Sequence, residues 1–344
     1  ENTDKKIFDK AFSARSEFVL MAKGVVRERS SKNMEIPTGE IEVDVNDLRI
    51  LGKSETPPFE IVENCQTSEI ETPILIRSTP EGARDFLVPS RIHNGSFYAL
   101  PQSPQLYKQL SMVAGFDRYM QIARCFRDED LRADRQPEFT QIDLEMSFVD
   151  MEDVLNIGEG YMKRVFKEAL GVDIQLPLPR ITYKEAMERF GSDKPDTRYG
   201  MELYDLSDIV KDCGFGVFSN TVKDGGSVRG ITAKNAFKSL SRKEIDKLTD
   251  SVKGNGAKGL AWARIAEDGT VSSSFAKFIT EDELKAILDK AGAEAGDVVL
   301  IIGDVKNSIV FNALGALRQE VAKRLEIIPE GQYNLLWITE FPFF

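Results

Sequence analysis

Apolar and polar positions alternate near the start of the chain in the manner of β-strands. Over residues 40–45, three apolar residues alternate with three acidic ones, which predicts a half-buried strand after the turn at Thr38-Gly39. The apolar run at 74–76 predicts a further short strand. We expect residues 1–60 to be β-structure almost throughout, with a linker at Thr56-Pro57-Pro58 near the end of this segment.

A helix is predicted after Ser103 and Pro104, which suit its N-cap and its first helical position. Its apolar stripe consists of Leu106, Leu110 and Val113. Its opposite side is polar and consists of Gln105, Lys108 and Gln109. Gly115 is expected to end the helix, because glycine is common just past a helix C-terminus.

Two strands joined by a charged loop are predicted next, at 119–127 and 139–148, with the loop at 128–136. The apolar face of the second strand consists of Ile142, Leu144, Met146 and Phe148. Its other face consists of Gln141, Asp143, Glu145 and Ser147. Such a row of acids and amides either faces solvent or lines a polar site, and the pattern alone favours solvent.

Residues 200–327 have the pattern of a separate α+β module without a catalytic motif. Two helix starts carry capping-box pairs, Ser241 with Glu244 and Thr280 with Glu283. Residues 298–302 predict a buried strand, and the apolar spacing over 310–325 predicts a long amphipathic helix. Residues 335–344 predict another apolar strand.

Composition narrows the class of protein. With 344 residues, 42% hydrophobic and 29% charged, the chain is long enough for two or three domains with real cores. Its net charge of −11 restricts nucleic-acid binding to a local basic patch.

The three isolated cysteines are Cys65, Cys125 and Cys213. They argue against a disulfide framework or a Cys-rich zinc site and suit a reducing compartment. Since neither a membrane-spanning run nor a signal-peptide apolar region is found, we expect a cytoplasmic protein.

The single histidine, His93, excludes His-rich metal sites, and its Arg-Ile-His-Asn-Gly context predicts a surface turn. A Ser-His-Asp mechanism would have to use this one residue. GxxxxGK[ST] does not occur, so a bound nucleotide would not rest on a P-loop. The GxGxxG spacing at 254–259 lies in a glycine-rich stretch that predicts a loop. An enzyme with this sequence would work through carboxylates, arginine, lysine and amides.

The densest polar stretch, 125–143, contains Phe-Arg-x-Glu, a loop and then Phe139. This arrangement resembles motif 2 of the class II aminoacyl-tRNA synthetases. The segments 79–90, 98–105 and 191–196 resemble the bacterial aspartyl-tRNA synthetases of that family, and the likeness covers essentially the whole chain. It implies a multidomain α+β fold. The implied parts are a partial N-terminal OB-fold β-barrel for the anticodon at 1–56, a linker at 57–69, the first part of a class II antiparallel-sheet catalytic core at 70–200, an inserted α+β GAD domain at 201–328 and a return to the core at 329–344.

The resemblance also implies a reaction. L-aspartate would be activated by ATP, with Mg²⁺, to aspartyl-adenylate and then transferred to the 3′ end of tRNA-Asp by a cytoplasmic homodimer. Arg127 would be the catalytic residue that holds the α-phosphate and the aspartate carboxylate, since its planar fork suits both. The other ATP contacts would be Asp128, Glu129, Gln136 and Phe139, whose ring would stack on adenine. Arg132 and Arg135 are candidates to meet the tRNA acceptor end.

The same resemblance implies an aspartate pocket, formed by Glu81, Ser103, Gln105, Lys108, Arg127 and Asp143. Glu81 would bind the α-ammonium, and Lys108 would bind the side-chain carboxylate. A pocket built to pair that carboxylate rejects asparagine, because the lysine would be left unpaired. Asp143 would orient Lys108. Without the resemblance, Lys108 is interpreted as an exposed helix lysine.

The sequence departs from the family pattern in three places. Residues 1–60 resemble only the later half of the OB-fold, the motif 1 helix expected before Ile70 is missing, and the motif 3 arginine and the acids that hold Mg²⁺ are not among the 344 residues. We therefore expect no metal ligand among these residues, and an incomplete site from them alone. One hypothesis is that residues between Glu69 and Ile70 are missing from the sequence.

Alternative functions stay open. The chain could come from an enzyme of relaxed specificity that also charges tRNA-Asn. It could instead be a non-catalytic tRNA-binding or regulatory fragment of a synthetase, which would form no adenylate. An ATP-dependent amide-forming paralogue on the same core would be identified by an ammonia-dependent product.

Overall fold

The computed structural model describes residues 4–14, 18–34, 36–53, 68–79, 81–82, 84–130 and 135–343. The chain forms two compact units, Glu1–Leu155 and Asn156–Phe344. This division falls inside the segment 70–200, and the domain boundaries expected from the sequence stay a prediction. Most of the predicted linker at 57–69 lies outside the described residues.

In its described part, the first unit carries short sheets and short helices. Their bounds are α1 Lys5–Phe12, β1 Val19–Glu28, β2 Ile41–Gly52, β3 Ser68–Glu69, β4 Phe86–Pro89, β5 Phe97–Leu100, α2 Gln105–Val113, β6 Arg118–Phe126 and β7 Glu138–Met146. β1 pairs with β2 and β4 with β5, both antiparallel. The remaining sheet has the order β3-β6-β7, with β3 parallel to β6 and β7 antiparallel to it. α3, Met151–Leu170, begins in this unit and ends in the next.

The prediction that residues 1–60 are almost all β-structure is wrong at α1. Asp4 caps this helix by accepting a hydrogen bond from the backbone of Lys6 at 2.8 Å, the usual role of an N-cap carboxylate. β2 confirms the strand predicted at 40–45, but Ile41 and Val43 remain 46% and 51% exposed. In the described residues β1 and β2 form a two-stranded sheet, and the partial OB-fold stays a prediction.

Polar faces, rather than apolar ones, point inward around α2 and β7. The strands predicted at 119–127 and 139–148 are confirmed as β6 and β7. On β7, Asp143 is buried at 9% exposure while Leu144 is 42% exposed, so the expectation that the polar face meets solvent is wrong. On α2, Leu106 and Leu110 of the predicted apolar stripe are 51% and 59% exposed. Lys108 of α2 and Asp143 of β7 therefore face each other rather than solvent.

Two local predictions in this unit are also wrong. The N-cap of α2 is Pro104, not Ser103, and no side chain caps the helix. The Ser103 hydroxyl instead donates to Glu81 at 2.7 Å. The strand predicted at 74–76 is reduced to a single bridge between Ile76 and Ala99.

The second unit is built around a larger sheet. Its elements are β8 Arg180–Thr182, α4 Tyr183–Phe190, β9 Tyr204–Asp205, α5 Ser207–Val210, α6 Gly216–Lys223, β10 Ser227–Ala233, α7 Arg242–Gly254, β11 Ala261–Ile265, β12 Val271–Ser273, a 3₁₀ turn at Ala276–Phe278, α8 Glu281–Lys290, β13 Val298–Asp304, α9 Asn307–Arg324 and β14 Trp337–Thr339. Five strands form a sheet of order β12-β11-β13-β10-β9.

Helices cover both faces of this five-stranded sheet, which explains the unbroken apolar run of β13. Val298, Leu300 and Ile302 pack in one core with α7 and α9, whereas Val299 and Ile301 pack in the other with α5, α6 and α8. The predicted buried strand and the long helix at 310–325 are thereby confirmed. The Thr280–Glu283 capping box is complete, while Ser241 caps its helix alone.

The chain leaves a small parallel sheet for the five-stranded sheet and later returns to it. β8 pairs with β14 in parallel, although the whole of 183–336 lies between the two strands in the chain. Trp337 donates from Nε1 to the buried carboxylate of Glu159 on α3 at 3.0 Å. Of the strand predicted at 335–344, only Trp337–Thr339 is formed.

α9 is joined tightly to the end of α4. Gly191 ends α4 in the left-handed conformation, and a Cβ on Gly315 of α9 would overlap its carbonyl oxygen. One turn further on, the guanidinium of Arg318, only 1% exposed, donates to the carbonyls of Asp196 and Met201 at 2.6 and 3.0 Å. It also donates to the carbonyl of Gly200 and to the Tyr199 hydroxyl.

Candidate active site

The first unit gathers its polar residues on one face of β6 and β7. Their register places Gln121 opposite Asp143 and Cys125 opposite Phe139. Because side chains alternate along a strand, these four residues share a face. α2 packs against both strands, and its Lys108 donates a hydrogen bond to Asp143 of β7.

Lys108 lies between two carboxylates. Its Nζ is 2.7 Å from Asp143 Oδ1 and 3.5 Å from Glu145 Oε2. The side chains of Lys108 and Asp143 are 12% and 10% exposed, so this is a largely buried ion pair. Such a pair fixes the position of a cation that can also meet an anionic ligand.

Glu81 is held by two hydroxyl groups. Thr79 donates to its Oε1 at 2.9 Å, and Ser103 donates to its Oε2 at 2.7 Å. Thr79 is two residues away along the chain, whereas Ser103 comes from the turn before α2. The carboxylate is thus oriented from two sides, and it can accept a further hydrogen bond on each oxygen.

Arg127 extends the polar face at the end of β6. Its guanidinium lies 5.0 Å from the centre of the Phe139 ring, a cation–π contact. Its Nε is buried and makes no hydrogen bond within the described residues. A buried donor without an acceptor is costly, so this arginine is suited to an anionic ligand.

Cys125, on the polar face of β6, is fully buried. Burial, and next the negative charge of Asp143, raise the pKa of the Cys125 thiol to about 11. The charges of Arg127, Glu81 and Lys108 also act on this pKa. The thiol donates to Gln141 Oε1 at 3.1 Å. The ion pair of Lys108 with Asp143 and the contact of Arg127 with Phe139, which lies opposite Cys125, therefore share this face of the sheet.

Several residues of the site were not singled out from the sequence. Tyr119 is 1% exposed and donates to Gln121 Oε1 at 2.7 Å, and Thr72 donates to the same oxygen at 2.9 Å. Burial, followed by the charge of Asp143, raises the pKa of Tyr119. Glu145 is the second carboxylate on Lys108. Tyr119 and Gln121 join the site through the register of β6 with β7, which no pattern in the sequence predicts.

The remaining candidate residues are placed on α2 and on the loop after β6. Glu129 pairs with Arg135 at 3.4 Å on the exposed side of the loop. The side chains of Asp128 and Gln136 are exposed. Gln105 begins α2, one turn before Lys108. Arg132 lies outside the described residues.

Other expectations concern metals and reactive residues. Within the described ranges, no group of three or more His, Cys, Asp or Glu residues is placed to hold a metal ion. His93 is exposed in a turn, as predicted. Cys125 and Cys213 are free and buried, and Cys65 lies outside the described residues. No helix in the described part of the chain is long and apolar enough to cross a membrane.

Comparison with known proteins identifies the family. The family model described as tRNA synthetases class II (D, K and N) matches residues 60–343. The chain belongs to this family. The family model therefore spans most of the sequence, in agreement with an α+β class II synthetase fold, whereas the OB-fold and GAD assignments stay predictions.

The curated relatives described next are aspartate–tRNA ligases, one of them named for both tRNA-Asp and tRNA-Asn. An aspartate–tRNA ligase of Ruminiclostridium cellulolyticum is 54% identical over 384 residues, which cover 99% of this chain and 64% of the relative. An aspartate–tRNA ligase of Agathobacter rectalis is 52% identical, with the same two coverages. An aspartate–tRNA(Asp/Asn) ligase of Caldanaerobacter subterraneus subsp. tengcongensis is also 52% identical, over 99% of this chain and 64% of its own.

The chain spans 64% of the length of these relatives. The alignment runs over 384 residues although it covers 99% of a chain of 344, so the relatives have additional residues inside the matched region. Among solved structures, an asparaginyl-tRNA synthetase from Pyrococcus horikoshii matches with a TM-score of 0.31 and 17% identity, over 97% of this chain and 87% of its own.

Proposed function

We propose that this class II synthetase chain acts as an aspartate–tRNA ligase. It would activate L-aspartate with ATP and then transfer the aspartyl group to the 3′ end of tRNA-Asp. The observation that carries the proposal is the buried Lys108–Asp143 pair, 2.7 Å apart. Lys108 lies on α2, and Ser103 in the turn before this helix donates to Glu81. The 54% identity to an aspartate–tRNA ligase supports the same reaction.

The residues suit the first step of this reaction. Glu81 would accept hydrogen bonds from the α-ammonium of aspartate, and Lys108 would bind the side-chain carboxylate. The α-carboxylate would then attack the α-phosphorus of ATP, forming a mixed anhydride and releasing pyrophosphate. Arg127 would donate to the α-phosphate and the attacking carboxylate, holding two anions together. Ser103 and Gln105 would complete the aspartate pocket.

The nucleotide and tRNA contacts are proposed from the resemblance. Phe139 would stack on adenine, and its ring already lies against Arg127. The loop would supply Asp128, Glu129 and Gln136 to ATP, and Arg132 and Arg135 to the acceptor end. Mg²⁺ would accompany ATP and neutralise phosphate charge. No described residue is assigned to it, because no acidic cluster is placed to hold an ion.

The family resemblance implies that the protein binds tRNA as a homodimer in the cytoplasm. Residues 1–56 would be part of an OB-fold for the anticodon, and 201–328 a GAD insertion. The parallel pairing of β8 with β14 supports an insertion between them, since the chain returns to the strand it left. The segments 70–200 and 329–344 would form the catalytic core.

The test is amino-acid-dependent ATP–pyrophosphate exchange by the purified protein with each standard amino acid. We expect exchange with aspartate and background rates with asparagine and glutamate. Exchange with none of them, together with tRNA binding, would favour a non-catalytic fragment. An ammonia-dependent amide product would identify an amide-forming paralogue.

A second candidate is the relaxed enzyme that also charges tRNA-Asn. The observation in its favour is a relative at 52% identity whose name includes both tRNAs. Aminoacylation of purified tRNA-Asp and tRNA-Asn with labelled aspartate separates the two candidates. Comparable rates with both would establish the relaxed form.

A further inference from the structure

The Glu81 carboxylate accepts hydrogen bonds from two hydroxyl groups. The residue just before each hydroxyl-bearing residue is in turn hydrogen-bonded to Asp85. Thr79 and Ser103 donate to Glu81 at 2.9 and 2.7 Å. Ser78, just before Thr79, donates to Asp85 Oδ2 at 2.5 Å. Gln102, just before Ser103, donates from Nε2 to Asp85 Oδ1 at 2.7 Å.

The hairpin explains how one carboxylate reaches both segments. Asp85 directly precedes β4, and Gln102 follows β5 by two residues, while the pairing of Phe86 with Leu100 brings these strand ends together. Gln102 is only 2% exposed, so its bond to Asp85 lies in the interior. The bond therefore resists competition from water.

We propose that Asp85 is a positioning residue for aspartate binding, because its two oxygens fix the segments that carry both hydroxyl donors of Glu81. Asp85 does not touch the substrate in this arrangement. It sets the distance between the Thr79 and Ser103 hydroxyls and so the orientation of the Glu81 carboxylate toward the α-ammonium. This inference rests on the proposed function, which gives Glu81 that ligand.

Backbone hydrogen bonds join the chain next to Asp85 and Gln102 to the residues on either side of Arg127. Asp128 donates from its backbone to the carbonyl of Arg84 at 3.0 Å, and Phe126 donates to Pro101 at 2.8 Å. These bonds do not involve the Asp85 side chain. Replacing that side chain should therefore loosen Glu81 while leaving the backbone frame around Arg127 in place.

The experiment measures ATP–pyrophosphate exchange by wild type and by Asp85→Ala, with aspartate and ATP varied separately. We expect Asp85→Ala to raise the KM for aspartate about tenfold, the loss of oriented hydrogen bonds to a charged group, while the KM for ATP stays within about twofold. Asp117→Asn, which neutralises an exposed carboxylate of the same unit, is the matched control and should change neither KM.

A second pair of variants separates the positioning role of Asp85 from a loss of protein stability. It reverses which of residues 85 and 102 donates the hydrogen bond. Gln102→Glu places two carboxylates 2.7 Å apart and should raise the KM for aspartate. In Asp85→Asn/Gln102→Glu the amide donates in the opposite direction, and the KM should return most of the way to wild type. A purely structural role would raise both KM values together. That result, an unchanged aspartate KM in Asp85→Ala, or no recovery in the double variant would overturn the inference. Absence of exchange in wild type would instead overturn the proposed function.

Discussion

At the scale of single residues, Lys108 and Asp143 depend on each other because both have little access to water. Their side chains are 12% and 10% exposed, and 2.7 Å separates Nζ from Oδ1. Removing one partner of such a pair leaves the other charge poorly solvated, at a cost of about 3 kcal/mol. Removing both charges costs less than the two single losses together, because no isolated charge remains.

Lys108→Met should therefore lower aspartate-dependent pyrophosphate exchange by roughly 100-fold or more, since both the ligand's partner and the order of Asp143 are lost. It should also lower stability to urea, and Lys108→Met/Asp143→Leu should recover stability without recovering activity. Lys285→Met, at an exposed position of α8, is the control. A double variant no more stable than Lys108→Met would contradict the coupling.

Cys125 gives a second prediction at this scale. A thiol with a pKa near 11 is protonated at pH 8, and in the native strand pair Cys125 is fully buried. Burial also raises the pKa of Cys213. Iodoacetamide at pH 8 should leave both cysteines unmodified in the native protein and alkylate both in urea, as read by peptide mass spectrometry. Alkylation of native Cys125 would mean that β6 and β7 separate readily.

At the scale of elements, Arg318 joins α9 to the chain that follows α4. Its guanidinium supplies donors to three backbone carbonyls and one hydroxyl, and it lies 5.0 Å from the Phe190 ring and 4.3 Å from that of Tyr199. A planar group with five donors suits such a set of acceptors, whereas an ammonium group cannot reach them all.

Arg318→Met should keep the packing of the stem but leave these acceptors without donors, at a cost of about 3 kcal/mol. Thermal denaturation followed by circular dichroism should therefore show a clear drop in Tm, and Arg318→Lys should recover only part of it. Arg242→Met, at the exposed start of α7, should leave the Tm nearly unchanged. Full recovery by lysine would argue that charge alone, not geometry, is needed.

The elements differ in how well the sequence predicts them. The apolar run of β13 and the spacing over 310–325 predict buried structure correctly, because helices cover both faces of that sheet. The same reasoning fails for β7 and α2, where polar faces meet across Lys108 and Asp143 and apolar faces stay exposed. Periodicity identifies a face but not its partner. The register that brings Gln121 opposite Asp143 depends on how β6 and β7 pair in the folded chain, and periodicity does not predict it. Only the family resemblance pointed to this site.

At the scale of the whole molecule, the described core is concentrated in the second unit. Its two clusters of fully buried side chains lie on the two faces of the five-stranded sheet. In the first unit, the described residues of β1 are mostly exposed on a two-stranded sheet. Local opening costs least where few apolar contacts are broken.

Hydrogen exchange should therefore be slowest in β10, β13 and α9, and much faster in β1 and β2. Native-state exchange read by mass spectrometry at neutral pH is the measurement. The exposed strand β1, which is hydrogen-bonded to β2, separates the effect of hydrogen bonding from that of burial. Equal protection of β1 and β13 would show that a partner or segment covers the hairpin in solution.

The contact between Gly191 and Gly315 restricts how this sequence can change over evolutionary time. An ion pair can be exchanged by two successive substitutions, because each partner can compensate for the other. Two glycines whose backbones touch have no such route, since neither can become smaller to admit a methyl group on its partner. At the contact between α4 and α9, a substitution of one glycine therefore cannot be compensated by a substitution of the other. A library randomised at both positions should return glycine at each one independently.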